Sequence, residues 1–248
     1  MSWALCLFLV LGCSTTKIEK KELGAFKTKE EALQKLFYQV VDKKGKIDFK
    51  HISKKPDSLE TYLGIASEVT PRSNPNSFKN KNEVLAYYMN TYNALAMYHA
   101  ATSGIKPKSL VKFFVLSKFQ LGGENISLRN LENEWIRPLG EPRIHFALNC
   151  MVKSCPRLPQ EVFKPLSLDK QLDRVTKEFI NSDKHVRVND RERKVELSQI
   201  FKWYEKDFLE KKESLIAYIN DYRVKAIPMD YDVSFLNYDW DLNQKFEE

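Results

Sequence analysis

An α+β fold is what this chain predicts, on three observations. Amphipathic helical stretches with recognisable start and stop signals recur from residue 28 to the C-terminus. Short alternating runs flank turn residues as hairpins instead of alternating with helices as βαβ units. One long helical stretch has no charged residue between Val84 and Ile105, so it reads as a helix buried on all sides. With 248 residues, 43% hydrophobic and 12% aromatic, there is apolar material for one large core, and a single globular domain is expected over 28–248.

The N-terminus stands apart. "MSWALCLFLVLGC" is uncharged from Ser2 to Cys13 and precedes a lysine-rich polar stretch. An apolar run this short suits a cleaved signal over 1–12 better than a membrane span. "LVLGC" resembles the lipobox of bacterial lipoproteins, which implies lipidation at Cys13, a polar tether over 13–27 and membrane attachment through the lipid. Ser14 after that cysteine resembles the outer-membrane variant of the sorting signal, so the expected location is the bacterial envelope. The formal charge of +7 is spread over the chain as lysines without an arginine-and-aromatic stripe, and nucleic acid is not an expected partner.

Along the domain, "TKEEALQKLFYQVVDKKGK" carries Thr28 and Glu31 at capping-box spacing, an apolar face, and Gly45 as its stop. "KIDF" reads as a short strand and "DSLETYLGIASEV" as a helix capped by Asp57. After a proline- and asparagine-rich loop comes the uncharged helix, opened by Asn80 and Glu83 and closed by Gly104. Its Asn90 and Asn93 lie one turn apart and need partners when buried, so both are candidate binding residues. His99 reads as a satisfied core residue, and His51 and His185 as surface positions.

"FQLGGENISL" predicts a hairpin turning at Gly122 and Gly123. "SLRNLENEWIRPLG" predicts a helix whose apolar stripe includes Glu132, which requires a partner for that carboxylate. A helix over 167–182, a hairpin over 185–197 and a helix over 198–211 follow. The last places Asp207 among Ile200, Trp203, Tyr204 and Phe208. Either acid could orient a histidine, although a buried ion pair, with Arg129, Arg143 or a lysine, is the commoner fate of such groups.

Chemistry concentrates in "IHFALNCMVKSCPRL", residues 144–158. Of the four cysteines, Cys6 leaves with the signal and Cys13 carries lipid, so Cys150 and Cys155 are the domain's own. His145 and Asn149 share a face at either helical or strand period, whereas Cys150 reaches His145 only if the chain bends. Four readings stay open. Cys150 is a nucleophile with His145 as base and Asn149 or Glu132 orienting the ring. Cys150 and Cys155 form a disulfide, as an exported protein permits. His145 and both thiols hold zinc, although no Cys-x-x-Cys or His-x-x-x-His pair supplies the usual spacing. Or the cluster is structural. Neither a metal nor a cofactor is expected.

In these segments, "YYMNTYNALAMY", "GGENISLRNLENEWIRPL", "RIHFALNCMVKSCPRLP", "LDKQLDRVTKEFIN", "LSQIFKWYEKDF" and "YDWDLN", the chain resembles the domain of unknown function 547 family over about 75–243. That resemblance maps the family's histidine, two cysteines and helix acid to His145, Cys150, Cys155 and Glu132, and its asparagine pair to Asn90 and Asn93. It implies by analogy a papain- or transglutaminase-like thiol fold. Two functions follow. One is thiol-dependent acyl transfer or peptide-bond chemistry on a peptide or envelope polymer; the other is a non-catalytic binding or scaffold lipoprotein in which the His/Cys/Glu cluster is structural. Asp207 and Cys155 join Asn90 and Asn93 as candidate binding residues. Cys13→Ala should move the protein from the membrane to the soluble fraction on cell fractionation. Persistent membrane association would rule out the lipid anchor.

Overall fold

The computed structural model describes residues 15–19, 22–23 and 28–246. The expected signal and Cys13 lie outside the described residues. Thr15–Thr16 (β1), within the stretch expected as a tether, pairs in parallel with Lys118–Leu121 (β2), where a strand edge offers unpaired backbone groups.

The fold is a single α+β domain built around one helix. Lys29–Val40 (α1), Phe49–Lys54 (α2) and Asp57–Glu68 (α3) lead to Lys81–Thr102 (α4), against which α2 and α3 pack. The caps form as their spacing requires: Thr28 Oγ1 accepts from the Glu31 N–H at 3.1 Å, and Asn80 Oδ1 from the Glu83 N–H at 3.1 Å. In α3 the cap position is Pro56, and Asp57 is already the first helical residue. The expected strand at "KIDF" shrinks to single bridges from Ile47 to Val41 and Gln244. Asp48 ends it by accepting from the His51 N–H at 2.8 Å and starting α2.

Helix α4, without a charged residue from Val84 onward, is buried along most of its length, from Leu85 to Met97. Among the described residues no helix is long and apolar enough to cross a membrane. β2 and Glu124–Ser127 (β3) form the expected hairpin, with Gly122 (φ 59°) and Gly123 (φ 83°) in the left-handed turn region. A Cβ on Gly122 would also meet Thr70 Oγ1 at 2.6 Å, so this turn requires glycine twice over.

Beyond the hairpin the expected helix divides. Leu128–Asn130 (α5), capped by Ser127, widens into a π-helical turn at Leu131–Ile136 and ends through Arg137–Leu139 at Gly140. A second π-helical turn, Val111–Leu116, was not anticipated from the sequence. Leu168–Ile180 (α6) follows, then the hairpin of Val186–Asn189 (β4) and Lys194–Leu197 (β5). The helix expected over 198–211 breaks at Tyr204 into Gln199–Trp203 (α7) and Glu205–Leu209 (α8). Leu215–Asn220 (α9) then leads to Asp232–Phe235 (β6), which joins β5 in parallel.

His185 corrects the surface expectation: it is 6% exposed and stacks on Phe179 at 3.9 Å. His99 is also buried, against Phe113 and Phe119, and its Nε2 has no hydrogen-bond partner among the described residues. Burial pushes the pKa of His99 down from 6.5 to about 4, so the folded state keeps the ring neutral. Below pH 6.5 the unfolded chain takes up the proton first, and stability falls as pH drops through this window, levelling off near pH 4. His99→Phe should remove on the order of 3 kcal/mol of that acid-side loss. Urea denaturation at neutral and mildly acid pH checks it; an unchanged pH slope would contradict the assignment.

Candidate functional site

The site starts from two amides on α4. Asn90 donates to Phe163 O at 2.8 Å and accepts from the Phe163 N–H at 2.9 Å. Asn93 repeats the pattern one turn later, donating to Ala147 O at 3.0 Å and accepting from the Asn149 N–H at 2.8 Å. Each amide therefore stands in for a neighbouring strand and pairs buried irregular backbone. Asn149 does the same locally, donating to Pro156 O and accepting from the Met151 N–H, both at 2.7 Å. The three asparagines, expected as binding or ring-orienting residues, are committed to main chain.

The segment so held contains a 3-10 turn, Pro142–Phe146, which aims His145 away from Asn149. The expected pairing of those two assumed a strand or an α-helix, and the tighter turn breaks that period. His145 Nε2 instead lies 2.8 Å from Asp207 Oδ2. Asp207 also receives a bidentate pair from Arg137, at 2.8 Å and 2.7 Å. Burial pushes the Asp207 carboxyl up, but the hydrogen bonds from Arg137 and His145 outweigh it and hold the group well below the usual carboxylate range. The ring of Tyr204 stacks on His145 at 3.8 Å, and the Arg137 guanidinium lies 5.3 Å from the same ring's centre. Asp207 thus has its ion pair, with Arg137 and not with the arginines expected.

Glu132, on the π-helical turn, is differently placed. Its Oε2 accepts from the Tyr92 hydroxyl at 3.4 Å, and the Tyr204 hydroxyl points toward the same carboxylate. Burial, reinforced by the charge of Glu132, pushes both tyrosines' pKa values well up, so both remain donors. Among the described residues no lysine or arginine forms an ion pair with Glu132; its nearest basic atom is His145 Nδ1, 4.0 Å from Oε1. That nitrogen is buried without a hydrogen-bond partner among the described residues.

Cys150 and Cys155 are joined in a disulfide, with Cα atoms 6.1 Å apart. This corrects the leading expectation, since a bonded sulfur is not a thiolate nucleophile, and it removes both sulfur ligands from the zinc reading. Among the described residues no group of three or more His, Cys, Asp or Glu is placed to hold a metal ion. The disulfide loop anchors the C-terminal segment: Lys153 N donates to Asp241 O at 2.8 Å, Asn243 N to Met151 O at 3.0 Å, and Asp239 N to Ser154 Oγ at 2.8 Å. Tyr238 and Trp240 are positioned by these contacts.

These groups enclose a cavity of about 410 Å³. Glu132, His145, Cys150, Leu148 and Pro156 line its protein side; Tyr92, Tyr204, Tyr238, Phe114 and the half-buried Trp240 form aromatic walls; Leu110, Val111 and Trp203 lie toward solvent. Trp203, Tyr238 and Trp240 form one cluster, with ring centres 4.7 to 5.7 Å apart. Sequence reasoning brought Glu132, His145 and Cys150 to this site. It missed Arg137, the roles of Tyr92 and Tyr204, and the wall from the 110–115 run. The aromatic density of "NYDWDLN" was the available signal for Tyr238 and Trp240.

Fold and site together define an α+β domain with an aromatic pocket walled on one side by a disulfide and a buried carboxylate. Residues 75–180 match the family described as "Protein of unknown function, DUF547", which supports that family for the stretch from the start of the 3-10 turn before α4 through α6. The match takes in Glu132, His145 and both cysteines and stops short of Asp207, Tyr238 and Trp240. No curated protein and no solved structure matches the chain.

Asn93→Ala leaves a buried carbonyl and a buried N–H unpaired and should cost about 2 to 4 kcal/mol in urea unfolding. A loss below about 0.5 kcal/mol would show that the amide is not a clamp.

Proposed function

We propose that this domain binds a small molecule with an apolar or aromatic body and a proton-donating head group, a protonated amine or a hydroxyl. The observation that carries the proposal is the 4.0 Å gap between Glu132 Oε1 and His145 Nδ1 in the wall of the pocket. In the tautomer that gives Nε2–H to Asp207, Nδ1 is an acceptor, and Glu132 Oε1 then faces it without a donor between them. A ligand N–H or O–H would bridge them, and the surrounding rings favour a cation or an aromatic face. A volume of about 410 Å³ suits an occupant of this size.

Acyl transfer through a free Cys150 thiol is not proposed, because the sulfur is bonded to Cys155. We infer further that the domain acts in the cell envelope, attached through Cys13. The uncharged run before Cys13 supports this, as does the disulfide, which an oxidising compartment preserves.

The tryptophans at the mouth provide the measurement. Titration with phenethylammonium, 2-phenylethanol and phenylpropionate, followed by tryptophan fluorescence, should give affinities that fall in that order. Glu132→Gln should weaken the ammonium by about tenfold, or about 1.4 kcal/mol, and the alcohol less. Tightest binding by the carboxylate, or an ammonium affinity indifferent to the substitution, would sink the proposal.

A further inference from the structure

The geometry points to the Cys150–Cys155 disulfide as a thiol–disulfide exchange centre that takes a small thiol through the aromatic pocket. This goes beyond ligand binding and needs neither Glu132 nor the head group proposed above.

The two sulfurs are not equivalent. Cys150 is partly exposed and lines the pocket, whereas Cys155 is 1% exposed and does not. Exchange requires a thiolate to approach one sulfur along the S–S axis and expel the other. A thiol entering through the pocket therefore meets Cys150, and Cys155 is the leaving group.

The surroundings of Cys155 suit that role. Its sulfur accepts from the Cys150 N–H at 3.1 Å and from the Val152 N–H at 3.5 Å, and the Tyr238 hydroxyl lies 3.6 Å away. Donors already aimed at a buried sulfur stabilise the thiolate that forms when the bond breaks, much as an oxyanion hole stabilises developing charge. Tyr238 also lies 3.3 Å from Cys150 Sγ, so one hydroxyl touches both ends of the breaking bond. Burial above all pushes the Tyr238 pKa up, which keeps that hydroxyl a donor. A purely stabilising role explains less, because cysteines five positions apart close a short ring and constrain the unfolded chain less than a long loop does.

The chemistry balances with two small thiols as reductant. The first thiolate attacks Cys150 Sγ, the S–S bond breaks, and the electron pair leaves on Cys155. The product is a mixed disulfide on Cys150. A second thiolate attacks the small-molecule sulfur of that mixed disulfide and releases Cys150 as thiolate. The two thiols leave as their disulfide, two electrons have entered the domain, and the protons the thiols gave up reside on Cys150 and Cys155.

Glutathione is the probe. Native wild-type protein is incubated with glutathione over a range of reduced-to-oxidised ratios, acid-quenched and alkylated, with circular dichroism confirming the fold. Trypsin cleavage after Lys153 puts the two cysteines on separate peptides for mass spectrometry. Reduction without unfolding is expected, with glutathione found on Cys150 and the alkylating label on Cys155. In Cys155→Ser, oxidised glutathione should modify Cys150 about tenfold or more faster than it modifies Cys155 in Cys150→Ser. Reduction only in denaturant would overturn the proposal, as would equal modification of the two cysteines.

Discussion

The pairing of irregular backbone by two amides on a buried helix is the interaction from which the rest of this structure follows. A main chain that enters the core without joining a sheet or helix leaves donors and acceptors that must be paired. Asn90 and Asn93 present an acceptor and a donor each, one turn apart, and hold Phe163, Ala147 and Asn149 to α4. That fixes the irregular stretch between them, which carries the disulfide. The absence of charge along α4 beyond its first turn is the corollary: a helix contacted by α2, α3, the Leu131–Ile136 turn and the Pro165–Ser167 turn has no face left there for a solvated side chain.

Two departures from regular helix shape the pocket on that frame. The π-helical widening at Leu131–Ile136 carries Glu132, and the break at Tyr204 separates α7 from α8. The ring of Tyr204 lies on His145 while its hydroxyl reaches Glu132. Two acids that look alike in sequence thereby acquire opposite surroundings. Asp207 is held ionised by a bidentate guanidinium and a histidine; Glu132 receives hydroxyl donors and faces a cavity. One acid is paired with a guanidinium and the other is left facing the cavity, and that asymmetry gives the pocket its polarity.

Legibility in the sequence divides along the same line. The caps at Thr28 and Asn80, the Gly122–Gly123 turn, the second hairpin and the buried character of α4 could all be read from the sequence, because caps and turns depend on residues a few positions apart and burial shows as a run of residue types. The α+β class followed from them. Of the site, the gathering of Glu132, His145 and Cys150 was legible, but the pairing among them was not. Spacing favoured His145 with Asn149, and a 3-10 turn sent the ring to Asp207, 62 positions away. The strand at "KIDF" failed because Asp48 could cap a helix, and a local hydrogen bond outweighed β-propensity.

What the sequence determined by itself was therefore the set of elements and the supply of chemically capable side chains. Both are encoded in period, capping and residue type over a few positions. The tertiary structure alone decided that Cys150 bonds Cys155 when both could have remained thiols, that Arg137 neutralises Asp207, and that Tyr238 and Trp240 return from the C-terminus to wall the pocket. Such outcomes depend on which groups packing brings within a few ångströms after their water is removed. Distance along the chain does not carry that information.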